Sequence, residues 1–144
     1  MRKPFDPEKE ILNYCEHICN AHLQTVRNRK NGTWYWDYPA MAVICHDYGC
    51  NVKRASYSHS PKKCEFHPVL RNQLQSLGPI GGHCCRLGRR YIIGNCAEQH
   101  AANIFMNQLN EVNLSNLYFS KAMRPRTKQI FDYCNNCKDT FPNL

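Results

Sequence analysis

The chain lacks any run of eighteen apolar residues, so no membrane-spanning helix can be drawn from it and no membrane partner is expected. Its opening, Met1-Arg2-Lys3-Pro4-Phe5-Asp6, turns polar and acidic at once and carries no apolar stretch of the signal-peptide kind. The expected location is cytoplasmic or nuclear, with delivery into a target cell if the chain is part of a toxin. Internal repeats and low-complexity tracts are missing, which excludes solenoids and disordered tails. At 144 residues there is room for one core and little room for a second full domain. We therefore expect a single domain over 1–144, with an N-terminal helix in 1–32, strands and loops in 33–93, and the chemistry in 94–144.

Acidic residues are scarce: 11 Asp and Glu face 19 Lys and Arg, a net charge of +8. That excess favours acidic partners, of which nucleic acid is the commonest, because phosphate neutralisation releases counterions. The cations cluster at Arg27, Arg29 and Lys30; at Lys53 and Arg54; at Lys62 and Lys63; at Arg86, Arg89 and Arg90; and at Lys121, Arg124, Arg126 and Lys128. Trp34, Tyr35, Trp36, Tyr57, Tyr91 and Tyr118 lie among them, a mixture that suits base stacking beside phosphate contacts. A solvated surface and ordinary core strands would show the same mixture.

Hydrophobic periodicity predicts the elements. Ile11, Leu12, Cys15, Ile18, Cys19, Leu23 and Val26 recur at three and four, predicting a helix over 8–28. Asn31-Gly32 marks a turn, and residues 33–36 are β-prone. Met41-Ala42-Val43-Ile44-Cys45 reads as a buried strand that forms a hairpin with 51–58 through Tyr48-Gly49. A loop over 60–68 and a short helix over 69–77 follow. A helix over 96–109 presents Ala97, Ala101, Ile104, Phe105 and Leu109 on one face. A strand over 114–121, an Arg-rich loop over 123–129 and a short helix from Cys134 complete an α/β layered domain.

The ten cysteines carry the chemistry. In a reducing compartment, clusters of them point to metal binding or catalysis more than to disulfides. Cys96-Ala97-Glu98 is followed 38 residues later by Cys134-Asn135-Asn136-Cys137, and each group opens a predicted helix. Thiolates at Cys96, Cys134 and Cys137 suit Zn²⁺, with a fourth position left for water. The two helix N-termini would offset the negative charge of three thiolates. Arg124 or Arg126 could donate to a thiolate. Glu98 stands roughly 200° around a helix from Cys96, and reaches the metal only if the metal lies off the helix end. It would then serve as the proton carrier.

Other readings stay open at this level. Asn95 with Glu98 fits a capping box. The Cys pair could be redox-active or half of a structural site, and Cys84 and Cys85 could close one with Cys96 and Cys134 or Cys137. Cys45, His46, Cys50, Cys64 and His67 form a candidate second zinc cluster. Cys15 and Cys19 with His22 read as core packing, and His100 as a surface or supporting group rather than a ligand.

Cys-Ala-Glu followed by Cys-x-x-Cys resembles the cytidine deaminase superfamily, and the tract Ala122-Met123-Arg124-Pro125-Arg126-Thr127 before the pair looks most like the deaminase domains of bacterial polymorphic toxins. The resemblance covers about 94–138, with Tyr133 where the superfamily usually has Pro, and the order of elements before it. It implies a three-layer α/β/α fold with a small mixed β-sheet and a zinc site at two helix N-termini; strands that commonly follow the second zinc helix have no counterpart here, so the sheet is expected to be built from earlier segments or to be smaller than usual. It implies zinc on Cys96, Cys134 and Cys137, and hydrolysis of cytosine to uracil by zinc-bound hydroxide at C4, with Glu98 as proton shuttle. Single-stranded DNA or RNA is the expected substrate, with Asn95, Arg124 and Arg126 as candidate substrate contacts. The alternatives are a deaminase of free nucleosides or nucleotides, or of adenine, and a non-catalytic zinc module that binds nucleic acid.

Overall fold

A computed structural model describes residues 6–21, 26–27, 34–35, 40–61, 65–83 and 92–144. The first helix, α1, is Pro7–Ala21. Asp6 starts it: its carboxylate accepts the backbone N–H of Glu8 at 3.1 Å, and Pro7 supplies a preset first helical φ. Ile11, Cys15 and Ile18 are buried on one face, as the periodicity predicts, whereas Leu12 is 37% exposed. The predicted end at 28 is corrected. Val26–Arg27 is instead a short strand, β1, paired antiparallel with β2, Trp34–Tyr35. That ladder satisfies backbone groups a helix would otherwise use, so the helical spacing of Val26 is coincidental.

The main sheet is built around β3, Ala42–His46, paired antiparallel with β4, Lys53–Tyr57. The turn between them forms because Asp47 Oδ1 accepts the N–H groups of Asn51 (2.7 Å) and Val52 (3.3 Å), while Cys50 takes a left-handed φ of 55°. Helix α2, Pro68–Gln75, starts with the His67 side chain accepting from Val69 N and buries Leu70 and Leu74. Helix α3, Ala97–Leu109, ends at Asn110 in a left-handed φ of 54°. Strands β5 (Tyr118–Phe119), β6 (Ala122–Met123) and β7 (Ile130–Phe131) and helix α4 (Asn135–Thr140) follow.

The strand expected over 114–121 is divided. A 3₁₀ turn occupies Leu114–Asn116, and both β5 and β6 pair with β3. Between the pairs Cys45↔Phe119 and Ala42↔Met123, β3 contributes Val43 and Ile44 while its partner contributes Ser120, Lys121 and Ala122. That extra residue is a bulge. The buried Ser120 absorbs it: its hydroxyl accepts Ile44 N–H at 2.9 Å, and its own N–H donates to Ile44 O. The Arg-rich loop expected over 123–129 is there, from 124 to 129, and connects β6 and β7 as a hairpin.

Every strand pairing among the described residues is antiparallel, which corrects the expected mixed sheet. The β3–β4 and β6–β7 hairpins have short connections, which permit only antiparallel neighbours, and β5 and β6, reached from β4 through α2 and α3, also run antiparallel to β3. All seven described strands precede α4. Alternation along β3 separates two cores. Ala42 and Ile44 pack with Ile11, Cys15 and Ile18 of α1, while Val43 and Cys45 belong to a cluster with Leu70, Ala101, Phe105 and Cys137 from the other three helices, and with Phe141 just after α4. The sheet thus has helices on both faces.

Two truncations test this layering. Ile11→Ala and Leu70→Ala should each lower unfolding free energy by about 2–5 kcal/mol, one on each side of the sheet. Leu12→Ala should cost well under about 1 kcal/mol. Chemical denaturation checks this; an Ile11→Ala effect as small as that of Leu12→Ala would deny that α1 packs on the sheet.

Candidate metal centre

The sulfurs of Cys96, Cys134 and Cys137 lie within 4.8 Å of one another, the one such grouping of potential metal ligands among the described residues. Cys96 is the residue before α3, Cys134 the residue before α4, and Cys137 lies in the first turn of α4. Cys96 and Cys134 sulfurs are 3.3 Å apart. Tetrahedral zinc with bonds of about 2.3 Å holds its sulfur ligands about 3.8 Å apart. The spacing brackets that value, and a purely thiol donor set suits zinc, so the residues fit the ion.

The helix starts are held by specific contacts. Gln99 is fully buried, and its Oε1 accepts the N–H groups of Gly94 (2.8 Å) and Cys96 (3.4 Å). Gly94 has φ 89°, and a Cβ there would meet Ile80 and Pro61 at 3.0 Å, so the bend delivering Cys96 requires glycine. On the other side, the Tyr133 hydroxyl donates to Ser120 O at 2.9 Å, tying the approach to Cys134 onto the bulged strand. Burial pushes the Tyr133 phenol up to about 12.

The capping reading is displaced by one residue. Cys96, not Asn95, is the N-cap, and Gln99, not Glu98, reaches back to it. The shift frees Glu98. Its carboxyl is 5% exposed, and the Cys137 thiol donates to its Oε2 at 3.5 Å. Because Cys96 precedes the helix proper, the helical separation of Cys96 and Glu98 does not keep them from one site.

Four acidic groups in one buried place repel each other's charges. Burial is the main force that raises Glu98 to about 7. Among the thiols the charge settles on Cys134, whose acidity rises because Cys137 and Cys96 hydrogen-bond to its sulfur and the N–H groups of Cys137 and Asn136 face it. Cys96 and Cys137 are held as thiols, chiefly by those same hydrogen bonds to Cys134.

A cavity of about 400 Å³ opens onto Cys96, Cys134 and Glu98. Asn95 and Arg124, both predicted as substrate contacts, line it, as do Ser58, Phe131 and the exposed Asp132. The Arg124 guanidinium lies 4.8 Å over the Phe131 ring. It is thereby turned toward the aromatic, and neither Arg124 nor the exposed Arg126 donates to a thiolate among the described residues; that expectation is corrected. Ser58, Phe131, Asp132 and Gln99 carry no pattern that would single them out in sequence.

The second zinc cluster does not assemble among the described residues. Cys45 points into the core under α3, while His46, its neighbour on the alternating strand, stacks on Tyr118. Only Cys50 meets His46, at 3.5 Å, and His67 is engaged in capping α2. Cys64, and likewise Cys84, Cys85 and His22, lie outside the described residues. His100 is no ligand and is not on the surface: it is 2% exposed, and its Nε2–H donates to His59 O at 2.8 Å. Its ring stacks on His59 at 3.5 Å and on Phe66 at 5.7 Å.

No helix among the described residues is long and apolar enough to cross a membrane. The chain matches no protein-family model, no curated protein and no solved structure.

Two measurements follow. Elemental analysis should find zinc held at the three cysteines, reduced at least tenfold in occupancy by Cys137→Ser at limiting zinc; occupancy unchanged in that variant would contradict the site. Second, burial lowers His100 to about 4 from an ordinary 6.5. Between those values the unfolded chain takes a proton that the folded one refuses, so stability is full above about 6.5 and falls as pH drops towards about 4. Denaturation midpoints of wild type and His100→Gln, followed from pH 7 to 4, should show a flatter acid decline in the variant.

Proposed function

We propose that the chain is a zinc-dependent hydrolase that deaminates cytosine to uracil in nucleic acid, single-stranded DNA foremost. The observation that carries this reading is the placement of Glu98, a buried carboxyl on the wall of a cavity, 3.5 Å from one of three clustered sulfurs. A structural zinc site needs a fourth ligand and no cavity; a hydrolytic one needs an open side, and a carboxyl beside it. The resemblance of Cys-Ala-Glu and Cys-x-x-Cys to the cytidine deaminase superfamily supports the same reading.

When bound, zinc supplies Lewis acidity that makes water a nucleophile near neutral pH. Cys96, Cys134 and Cys137 hold the ion. Glu98 takes the proton of the attacking water, delivers it to ring N3, and passes a proton on to the amine leaving C4, so that cytosine and water become uracil and ammonia. Burial keeps this carboxyl from exchanging its proton freely with solvent. Asn95 and Ser58 offer hydrogen bonds in the cavity, and Arg124 over Phe131 offers a cationic, flat surface at its wall. A base must leave its duplex stack to enter, at a cost of a few kcal/mol, so unpaired strands are the easier substrate. The net charge of +8 favours polyanions over free nucleosides.

Mass spectrometry of cytosine-to-uracil conversion tests the proposal on single-stranded DNA, RNA, duplex DNA and cytidine. Conversion is expected on the single strands. Glu98→Ala should reduce it by about 10²–10⁴-fold or more while zinc content and thermal stability persist. Turnover of cytidine alone would overturn the polynucleotide reading. Zinc-loaded protein that binds nucleic acid equally well with and without Glu98 and converts nothing would overturn the enzyme.

A further inference from the structure

On the face of the sheet opposite the cavity's helices, α1 meets the β6–β7 turn through three polar atoms. The Cys19 thiol donates to Pro125 O at 3.1 Å. The Lys128 ammonium donates to the same oxygen at 2.7 Å, and its Nζ is 3.4 Å from Cys19 Sγ. Both residues are half-buried. Lys128 has no carboxylate partner within ion-pair distance among the described residues. The turn presents it firmly: Lys128 adopts φ 63°, its N–H donates to Arg124 O at 2.8 Å, and Arg124 N–H donates to Gln129 O at 2.8 Å.

We propose that Cys19 and Lys128 form an oxidisable pair, which a hydroperoxide converts into a covalent S–N cross-link between α1 and the β6–β7 turn. In the first step the thiolate sulfur attacks the peroxide oxygen. The O–O bond breaks, the sulfur is oxidised by two electrons to a sulfenic acid, and water or an alcohol leaves. In the second step the Lys128 amine, having given its ammonium proton to water, attacks the sulfenic sulfur. The S–N bond forms, the S–O bond breaks, and the hydroxyl leaves as water. Thiol, amine and hydrogen peroxide thus become a sulfenamide and two waters, with no other reagent.

Among the described residues, geometry selects the amine over a second thiol. Cys15, one helical turn before Cys19, is fully buried. Side chains one turn apart hold their Cβ atoms about 5–6 Å apart, whereas a disulfide requires about 3.8 Å. A bridge between them would require unwinding α1. Lys128 is already beside the sulfur and needs only to close 3.4 Å. The cross-link removes the Lys128 charge and fastens to α1 the turn whose first residue, Arg124, lines the cavity.

The test treats the full-length, zinc-loaded chain with near-stoichiometric hydrogen peroxide, blocks remaining thiols, and maps peptides by mass spectrometry. The expected product joins the Cys19 and Lys128 peptides with a loss of two hydrogens, about 2 Da. Trypsin should no longer cut after Lys128, and excess dithiothreitol should restore both peptides. In Lys128→Gln and Lys128→Arg the cross-link should vanish and dimedone should trap Cys19 as the sulfenic acid; Cys19→Ser should leave Lys128 unmodified. The proposal is overturned if Cys19 in the wild type proceeds to sulfinic or sulfonic acid, pairs with another thiol, or stays reduced while other cysteines oxidise. Each outcome is read without measuring deamination, so it stands apart from the proposed activity.

Discussion

Two helices must begin at the same place for this molecule to have a metal centre. The start of α3 and the start of α4 each present cysteine, and the sulfurs meet within 4.8 Å. The meeting depends on how deeply α3 sits on the sheet. Ala97, Ala101 and Ala102 are buried small side chains that let its axis lie close to β3 and β4, and Phe105 and Met106 fill the space beyond. Four acidic groups gathered there would repel one another if all were ionised. Hydrogen bonds among the thiols and to Glu98 relieve this by leaving the first charge on Cys134, and a divalent cation would relieve it more fully.

The sheet serves as the ruler for this convergence. Its antiparallel strands are short, and β3 lies between β4 on one edge and β5 and β6 on the other. The Ser120 bulge lets β5 and β6 share that edge, and Tyr133 uses the freed carbonyls near the bulge to anchor the approach to α4. A local irregularity in a strand thus sets the position of a ligand more than ten residues away, through a single phenolic hydroxyl. At the opposite face, α1 closes the core and is pinned to the β6–β7 turn by Cys19 and Lys128.

Several features were readable from residue spacing because they obey local rules. Periodic apolar residues located α1 and α3, and the unbroken apolar run from Met41 to Cys45 located the central strand. The boundaries were less readable. Val26 kept helical spacing while belonging to a strand, because a two-residue ladder needs almost no pattern. The Arg-rich loop was readable, but the two-residue strands that it joins were not, for the same reason. The second zinc cluster failed on period: Cys45 and His46 are neighbours in sequence and on opposite faces of a strand. Ligand-type residues in a row cannot share an ion when the backbone alternates.

By itself the sequence determined the chemistry's ingredients: three cysteines and a glutamate at the openings of two helices, a layered α/β order, and a cationic surface. Local spacing carries such information, because caps, turns and amphipathic faces involve residues a few positions apart. Only the tertiary structure decided that Cys96, rather than Asn95, caps α3. It decided that Glu98 turns inward, that Ser58, Phe131 and Asp132 wall the cavity, and that Lys128 rests against Cys19. Those are contacts between segments tens of residues apart, whose approach depends on packing the whole core at once.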